Sequence, residues 1–229
     1  METLIKKQNG VSGVVTASPV WKNFANQLRE NTRQSATLAK WAVTSLPALH
    51  KQLSGNPQYL DMLSIARNEP LQRYSDSGLL FENRLMKVSL VTLEKGRGLP
   101  LHDHPGASGM MLVIDGSVSV CHCNVKPRQP GQILSLSVVH KNTLNPGETS
   151  WFTETERNVH SVDAISERAV LLVVHTPAFV AQQQSYYFPI NISTYESTTL
   201  HVQRIDAQTL DRISKQNTAP QVLQQNSSH

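Results

Sequence analysis

Cysteine is almost absent from this chain, with only Cys121 and Cys123 among 229 residues. A scaffold held together by disulfides is therefore excluded, and so sparing a use of thiols fits a reducing cytoplasm. Long apolar runs are missing as well. A stretch such as Ala169 to Val174 is far shorter than the roughly 20 residues a helix needs to cross a bilayer, so no membrane partner is expected. The opening Met1-Glu2-Thr3-Leu4-Ile5-Lys6-Lys7 lacks the apolar centre of a secretory signal, so export is not expected. Charge is scarce at 17 % of residues, and the 21 lysines and arginines behind the net charge of +4 form no cluster of four. Phosphate neutralisation needs several cations along one surface, so no nucleic-acid partner is expected either. No internal repeat is present. A chain of 229 residues is long enough to bury a core without help from a disulfide or a metal.

What is present is a change of period along the chain. Residues 1–75 read as a helical segment that packs on whatever follows. Trp21, Phe24 and Leu28, then Leu38, Trp41, Ala42, Leu46 and Leu49, recur at three- and four-residue intervals. Pro47 and Ser54-Gly55-Asn56-Pro57 are expected to divide the segment into shorter helices, with Tyr59 to Arg67 as one of them, ended by Asn68-Glu69-Pro70. From about residue 79 the pattern is that of strands. The expected strands are Arg84 to Leu93, Gly109 to Ile114, Ser117 to His122, Gln132 to Val139, Glu148 to Thr153, Val159 to Ala164 and Ala169 to His175. Thr199 to Ile205 is a final strand, and Asp206 caps a last short helix. Many short strands at close spacing predict a mainly β domain over 76–214, a sandwich or small barrel, followed by a disordered polar tail over 215–229.

The nine histidines say more than the charge. The informative stretch is Gly96-Arg97-Gly98-Leu99-Pro100-Leu101-His102-Asp103-His104-Pro105-Gly106. Histidines at i and i+2 on a strand share a face, so His102 and His104 can hold one ion between them. A hairpin of two glycine-bounded strands is expected to present the pair inside a barrel.

This spacing resembles the first motif of the cupin superfamily, with Gly96, His102, His104 and Gly116 in register and Gly109 where the motif has glutamate. The resemblance implies a double-stranded β-helix, a jelly-roll barrel, and a third histidine from a later strand. Asn145-Pro146-Gly147 followed by His160 fits that plan, with His140 as the rival third ligand. Without the glutamate, three neutral imidazoles leave an ion its full charge and three adjacent open positions, which points to Fe(II) as cofactor. Within the cupins, the chain resembles the thiol dioxygenases of the cysteamine dioxygenase and plant cysteine oxidase type. The residues that carry this are Pro100 to Gly106, Asn158-Val159-His160 with Ala164, and the pair Tyr186-Tyr187, over roughly residues 79–190. The resemblance implies an Fe(II) enzyme that adds O2 to a thiol (cysteamine, cysteine or an N-terminal cysteine) to give a sulfinate.

The resemblance and the residues themselves together suggest roles for particular side chains. His102, His104 and His160 are the expected metal ligands, and Tyr187, then Tyr186, the candidate catalytic hydroxyls. His175 is a candidate for the cavity wall. Arg84 and Arg73 are candidates for binding a substrate carboxylate. Asp103 and Asp163 are expected to orient ligand imidazoles. The chain departs from the family at Ala107, where a methionine is usual, and at Leu172, where an aspartate stands near the substrate. It departs again at Thr176-Pro177-Ala178, in place of Pro-Pro-Tyr. Gln184 and Ser185 stand where some relatives have the cysteine of a crosslink. Cys121-His122-Cys123 places both thiols on one strand face, away from His122. Two other readings stay open: another metal-dependent cupin enzyme (non-thiol dioxygenase, lyase or isomerase), and a non-catalytic cupin that senses a small ligand. The thiol and the oligomeric state are undetermined at this level.

Overall fold

The computed structural model describes residues 6–8, 11–16, 18–31, 35–71, 75–127, 133–178, 184–190, 198–206 and 208–209. Helices occupy Val20–Asn31 (α1), Ser35–Leu53 (α2) and Pro57–Asn68 (α3). In α1 the apolar positions Trp21, Phe24, Ala25 and Leu28 fall on one face and are buried. In α3 the Asn56 side chain accepts a hydrogen bond from the Tyr59 N–H, and Pro57 occupies the first turn, where no N–H is required.

Contrary to the expectation from Pro47, α2 runs unbroken through it. Proline removes the bond to the carbonyl four residues back. That residue is Val43, which is exposed, so water can replace the missing donor. Leu38, Ala42, Leu46, Leu49 and Leu53 on the other side are buried and hold the helix together. The segment also begins with strands rather than helix: Lys6–Gln8 (β1) and Val11–Gly13 (β2). Three residues are too few for alternation to show in sequence. Gly13 has φ of 134°, and a Cβ there would strike the backbone of Leu80.

Of the eleven strands that follow, eight lie close to the predicted segments, a ninth ends at the first histidine of the expected pair, and two, Ser75–Glu82 and Tyr186–Pro189, are new. Ser75–Glu82 (β3) pairs with Lys87–Glu94 (β4). Arg84 and Leu85, expected inside a strand, form the turn between them, because the Asn83 carboxamide oxygen accepts from the Leu85 and Met86 N–H groups. The others are Gly98–His102 (β5), Ser108–Asp115 (β6), Val118–Val125 (β7), Ser135–Leu144 (β8), Thr149–Phe152 (β9) and Val159–Ala164 (β10). Arg168–Thr176 (β11), Tyr186–Pro189 (β12) and Thr199–Ile205 (β13) complete the set. A seven-stranded sheet has the order β1-β2-β3-β4-β11-β6-β9, and β10-β5-β12-β13-β8-β7 close into a barrel. The chain is thus mainly β, a double-stranded β-helix with helices at its N-terminal side, as expected. The expected hairpin of β5 and β6 is not formed. Each pairs with other strands, and the Pro105-Gly106 turn, with Gly106 at φ 73°, carries the chain from one sheet to the other.

The large sheet is buried on both faces. One face packs with the helices in a single cluster that contains Trp21, Phe24, Leu46, Leu90, Leu172 and Val174. The other contributes Leu93, Met111, Val113 and Leu171 to a cluster shared with Val118, Val120 and Val162 of the barrel strands. This two-sided burial explains the continuous apolar run of β11. Among the described residues no helix is long and apolar enough to cross a membrane. The Asp206 carboxylate accepts from the Thr209 N–H, as expected of a cap, and the 215–229 tail lies outside the described residues.

Candidate metal centre

His102 is the last residue of β5, and His160 is the second of β10. The two face each other across the antiparallel pair. His104 follows two residues after His102, beyond the end of the strand. All three are buried, and their ligand-capable atoms lie within 4.8 Å of one another. Ring centroids are separated by 4.9 Å (His102–His104), 4.4 Å (His102–His160) and 5.3 Å (His104–His160).

Backbone carbonyls set the orientation of two rings. His102 Nδ1 lies 2.7 Å from the Pro100 oxygen, and His160 Nδ1 lies 2.9 Å from the Asn158 oxygen. A carbonyl only accepts, so each Nδ1 carries the proton and each Nε2 keeps its lone pair. The expected role of Asp103 and Asp163 in orienting these imidazoles is therefore taken by the chain itself. Asp103 instead accepts from the Ser185 N–H (2.8 Å) and the Tyr187 hydroxyl (2.7 Å), and its own N–H donates to the Ser185 carbonyl (3.0 Å). This staples the His102–His104 span to the start of β12. Asp163 lies against Gly98, where a Cβ would collide with its carboxylate. The Asn158 side-chain oxygen accepts from the His104 N–H at 2.9 Å, which gives the asparagine of the second motif a positioning role.

Burial pushes the imidazoles of His102, His104 and His160 below the usual histidine range, the last two well below it. Proximity of the rings to one another adds to the effect. Three neutral, converging nitrogen donors fit a divalent first-row transition metal. A glutamate at Gly109 would have to displace the Phe152 ring: a Cβ there would collide with that ring and come within 3.2 Å of His175 Cδ2. Phe152 fills that space, its ring nearly parallel to His104 at 5.2 Å.

The trio opens on a cavity of about 430 Å³. Its polar lining includes His175, Lys87, Ser77, Ser89, Ser150, Gln184 and Tyr186, and its apolar lining includes Met110, Met111, Leu171 and Val173. Among the described lining residues there is no carboxylate and no guanidinium. His175 is brought to the wall, with its ring 4.4 Å from that of His104. Of the two tyrosines, Tyr186 lines the cavity, with its ring 6.2 Å from His102, and its hydroxyl donates to Gln184 Oε1 at 3.2 Å. Tyr187 points to the opposite side of β12, into a cluster with Leu136, Val159 and Val202. Arg84 is exposed on the β3–β4 turn and lies off the wall, and Arg73 lies outside the described residues. His140 is partly exposed on β8 and stands outside the trio. Leu172 faces the helices rather than the histidines, so the position of the family aspartate is not on the cavity in this chain.

Cys121 and Cys123 share a face with their sulfurs 4.0 Å apart, as their spacing requires. His122, buried on the other face, is held between the Arg157 carbonyl (3.1 Å) and the Ser150 hydroxyl (2.7 Å). Phe152, Ser150, His122 and Lys87 were not identified from sequence. They come from elements distant in the chain, and no local motif marks them.

The PCO_ADO family model, that of cysteamine dioxygenases and plant cysteine oxidases, matches residues 49–226. Among solved structures, the chain is similar to KdgF from Halomonas sp. (13 % identity, TM-score 0.36, 48 % of this chain and 84 % of that one). It is also similar to TT1209 from Thermus thermophilus (24 %, TM-score 0.35, 47 % and 91 %). A third is the cupin domain of Cnp3 from Schizosaccharomyces pombe (15 %, TM-score 0.37, 48 % and 70 %). No curated protein matches the chain.

Proposed function

This chain belongs to the PCO_ADO family of cysteamine dioxygenases and plant cysteine oxidases, and on that basis we propose that it is a non-haem Fe(II) thiol dioxygenase of the cytoplasm, with His102, His104 and His160 as its metal ligands. The observation that carries this reading is the buried trio of neutral imidazoles with no acidic residue among the described lining of its cavity. Iron held there supplies a Lewis-acidic, redox-active centre at which a thiolate and O2 can be brought together. The overall change balances without an external reductant: R–SH + O2 gives R–SO2⁻ + H⁺, with both oxygen atoms ending on a sulfur that loses four electrons.

The chain's own residues bind, orient and exclude water. Met110, Met111, Leu171 and Val173 keep the wall dry, which strengthens every polar contact inside it. Tyr186, the hydroxyl on the wall, is the one we assign to hydrogen-bonding the reacting oxygens. Tyr187 acts through Asp103 and is a positioning residue.

The test is to purify the protein, quantify its iron, and follow O2 uptake with cysteamine, cysteine, 3-mercaptopropionate and a peptide bearing an N-terminal cysteine. Uptake equal to sulfinate formed, read by mass spectrometry, supports the assignment. Bound iron without uptake on any thiol overturns it in favour of another cupin chemistry, and failure to bind metal overturns it in favour of a ligand sensor.

A further inference from the structure

One hydroxyl on the cavity wall has its proton already committed. Ser150 and Phe152 share a face of β9, and both line the cavity. The Phe152 ring lies 5.2 Å from that of His104 and 4.6 Å from that of His160, so this face of β9 stands beside the metal trio. Ser150 is buried, directly across from Met111 of β6. Its Oγ lies 2.7 Å from His122 Nε2. His122 in turn stands across from His160 in the β7–β10 pair, with the two rings 5.5 Å apart.

The direction of these bonds is set at the far end of the network. His122 Nδ1 lies 3.1 Å from the Arg157 carbonyl oxygen, which can only accept. His122 is fully buried, which favours the neutral ring. Nδ1 therefore carries the ring proton and Nε2 is an acceptor. Ser150 has one hydroxyl proton, and it goes to Nε2. The serine oxygen is left with lone pairs to offer its other neighbours, and a hydroxyl that donates in this way is polarised into a better acceptor. Tyr186 also gives its proton away, to Gln184 Oε1, but that partner is a side chain that can turn. The partner of Ser150 is a buried imidazole fixed at its other nitrogen by the main chain.

A fixed acceptor, on a wall with no carboxylate among its described residues, suits a ligand that brings a donor. Cysteamine and cysteine, the thiols in the family's description, each carry an amino group separated from the sulfur by two carbons. We propose that Ser150 accepts a hydrogen bond from the amino group of a 2-aminothiol whose sulfur sits at the histidine trio, and that His122 is the positioning residue that keeps the serine proton turned away from that nitrogen. The proposal deepens the dioxygenase reading and rests on it for the identity of the substrate. It needs no proton to move: the hydroxyl stays bonded to Nε2, and the amine supplies an N–H in either of its protonation states.

Two measurements test it. The first needs neither iron nor turnover. In iron-free protein labelled with ¹⁵N-histidine, the His122 ring should show the Nδ1–H tautomer by NMR. Cysteamine should shift its Nε2 resonance in wild type and not in Ser150→Ala, whereas 1-propanethiol, with a methyl group in place of the amine, should leave it unmoved. An Nε2–H tautomer, or equal shifts by the two thiols, overturns the proposal. The second measurement uses the iron-loaded protein and O2 uptake. Ser150→Ala is expected to raise the ratio of the KM for cysteamine to that for 1-propanethiol by about 10- to 100-fold, the worth of one hydrogen bond to a charged group. Ser150→Thr, which keeps the hydroxyl, should keep most of the wild-type ratio. His122→Phe frees the serine proton to face the amine, and should raise the ratio by less than Ser150→Ala does. An unchanged ratio in Ser150→Ala, or a ratio in Ser150→Thr as high as in Ser150→Ala, overturns the proposal while leaving the dioxygenase assignment standing. An unchanged ratio in His122→Phe removes His122 from it. If no thiol is oxidised, the dioxygenase assignment fails by itself, and the iron-free titration still decides whether Ser150 receives the amine.

Discussion

The two faces of β11 differ in what they must do. Val170, Leu172 and Val174 face the helices in an all-apolar core, whereas Leu171, Val173 and His175 on the other face line the cavity. A polar atom on the first face needs a partner on the helices, as Thr92 of the neighbouring β4 finds where its hydroxyl donates to the Ala66 carbonyl of α3 at 3.3 Å. The second ends in an imidazole beside the metal trio. Neighbouring residues of one strand therefore answer to separate demands, packing on one side and chemistry on the other. Leu172, at the position of the family aspartate, lies on the packing side and belongs to the core.

The strongest challenge to this contrast is to remove a histidine from inside the site and another from outside it. His160→Ala should abolish stoichiometric iron binding, with a loss of affinity above about 100-fold. His140→Ala, on the partly exposed β8 position, should retain it. Iron content by metal analysis reads both, and the reverse pattern would overturn the ligand assignment. Next in size is the core side. Leu172→Ala should cost about 2–5 kcal/mol through the cavity it leaves. Leu172→Asp should cost more through an unpaired buried carboxylate, without raising turnover of any amine-bearing thiol. Urea midpoints and O2 uptake together check this, and a gain of activity in Leu172→Asp would mean that the position does reach the cavity.

Acid probes the same contrast. Burial lowers the His122 imidazole from 6.5 to about 4. Between those values the unfolded chain holds the extra proton, so stability is complete above pH 6.5 and falls as pH drops toward 4. The loss attributable to this group is about 3 kcal/mol at most. Metal-free protein unfolded in urea at a series of pH values should show the decline, and His122→Asn should flatten its share of the slope. A smaller effect separates the tyrosines. Tyr187→Phe should cost about 1–3 kcal/mol of stability by leaving Asp103 short of a donor. Tyr186→Phe should leave the urea midpoint nearly unchanged and lower kcat by about 10-fold. Equal effects on kcat would mean that the assignment of Tyr186 to the reacting oxygens is wrong.

Much of the architecture was legible because it is written in local periods. Helix spacing marked the buried face of α1, and the bounds of β10 and β13 coincide with the predicted segments. The continuity of α2 through Pro47 was not legible. It depends on which side of the helix the lost bond falls, and hence on what the other side packs against. The β1 and β2 strands were hidden by their length. In the site, the spacing of His102 and His104 carried its own meaning, since residues two apart on an extended chain share a side.

The order of residues alone dictates which side chains travel together: His102 with His104, Lys87 with Ser89, Cys121 with Cys123, and Tyr186 opposed to Tyr187. Which of those sets meets the cavity was left to the packing of the strands. A period of two assigns residues to faces without saying which face is inside, and a sheet buried on both sides offers two interiors. Pairing of β12 with β5 at Tyr186 and His102, and of β4 with β11 at Lys87 and His175, made that choice.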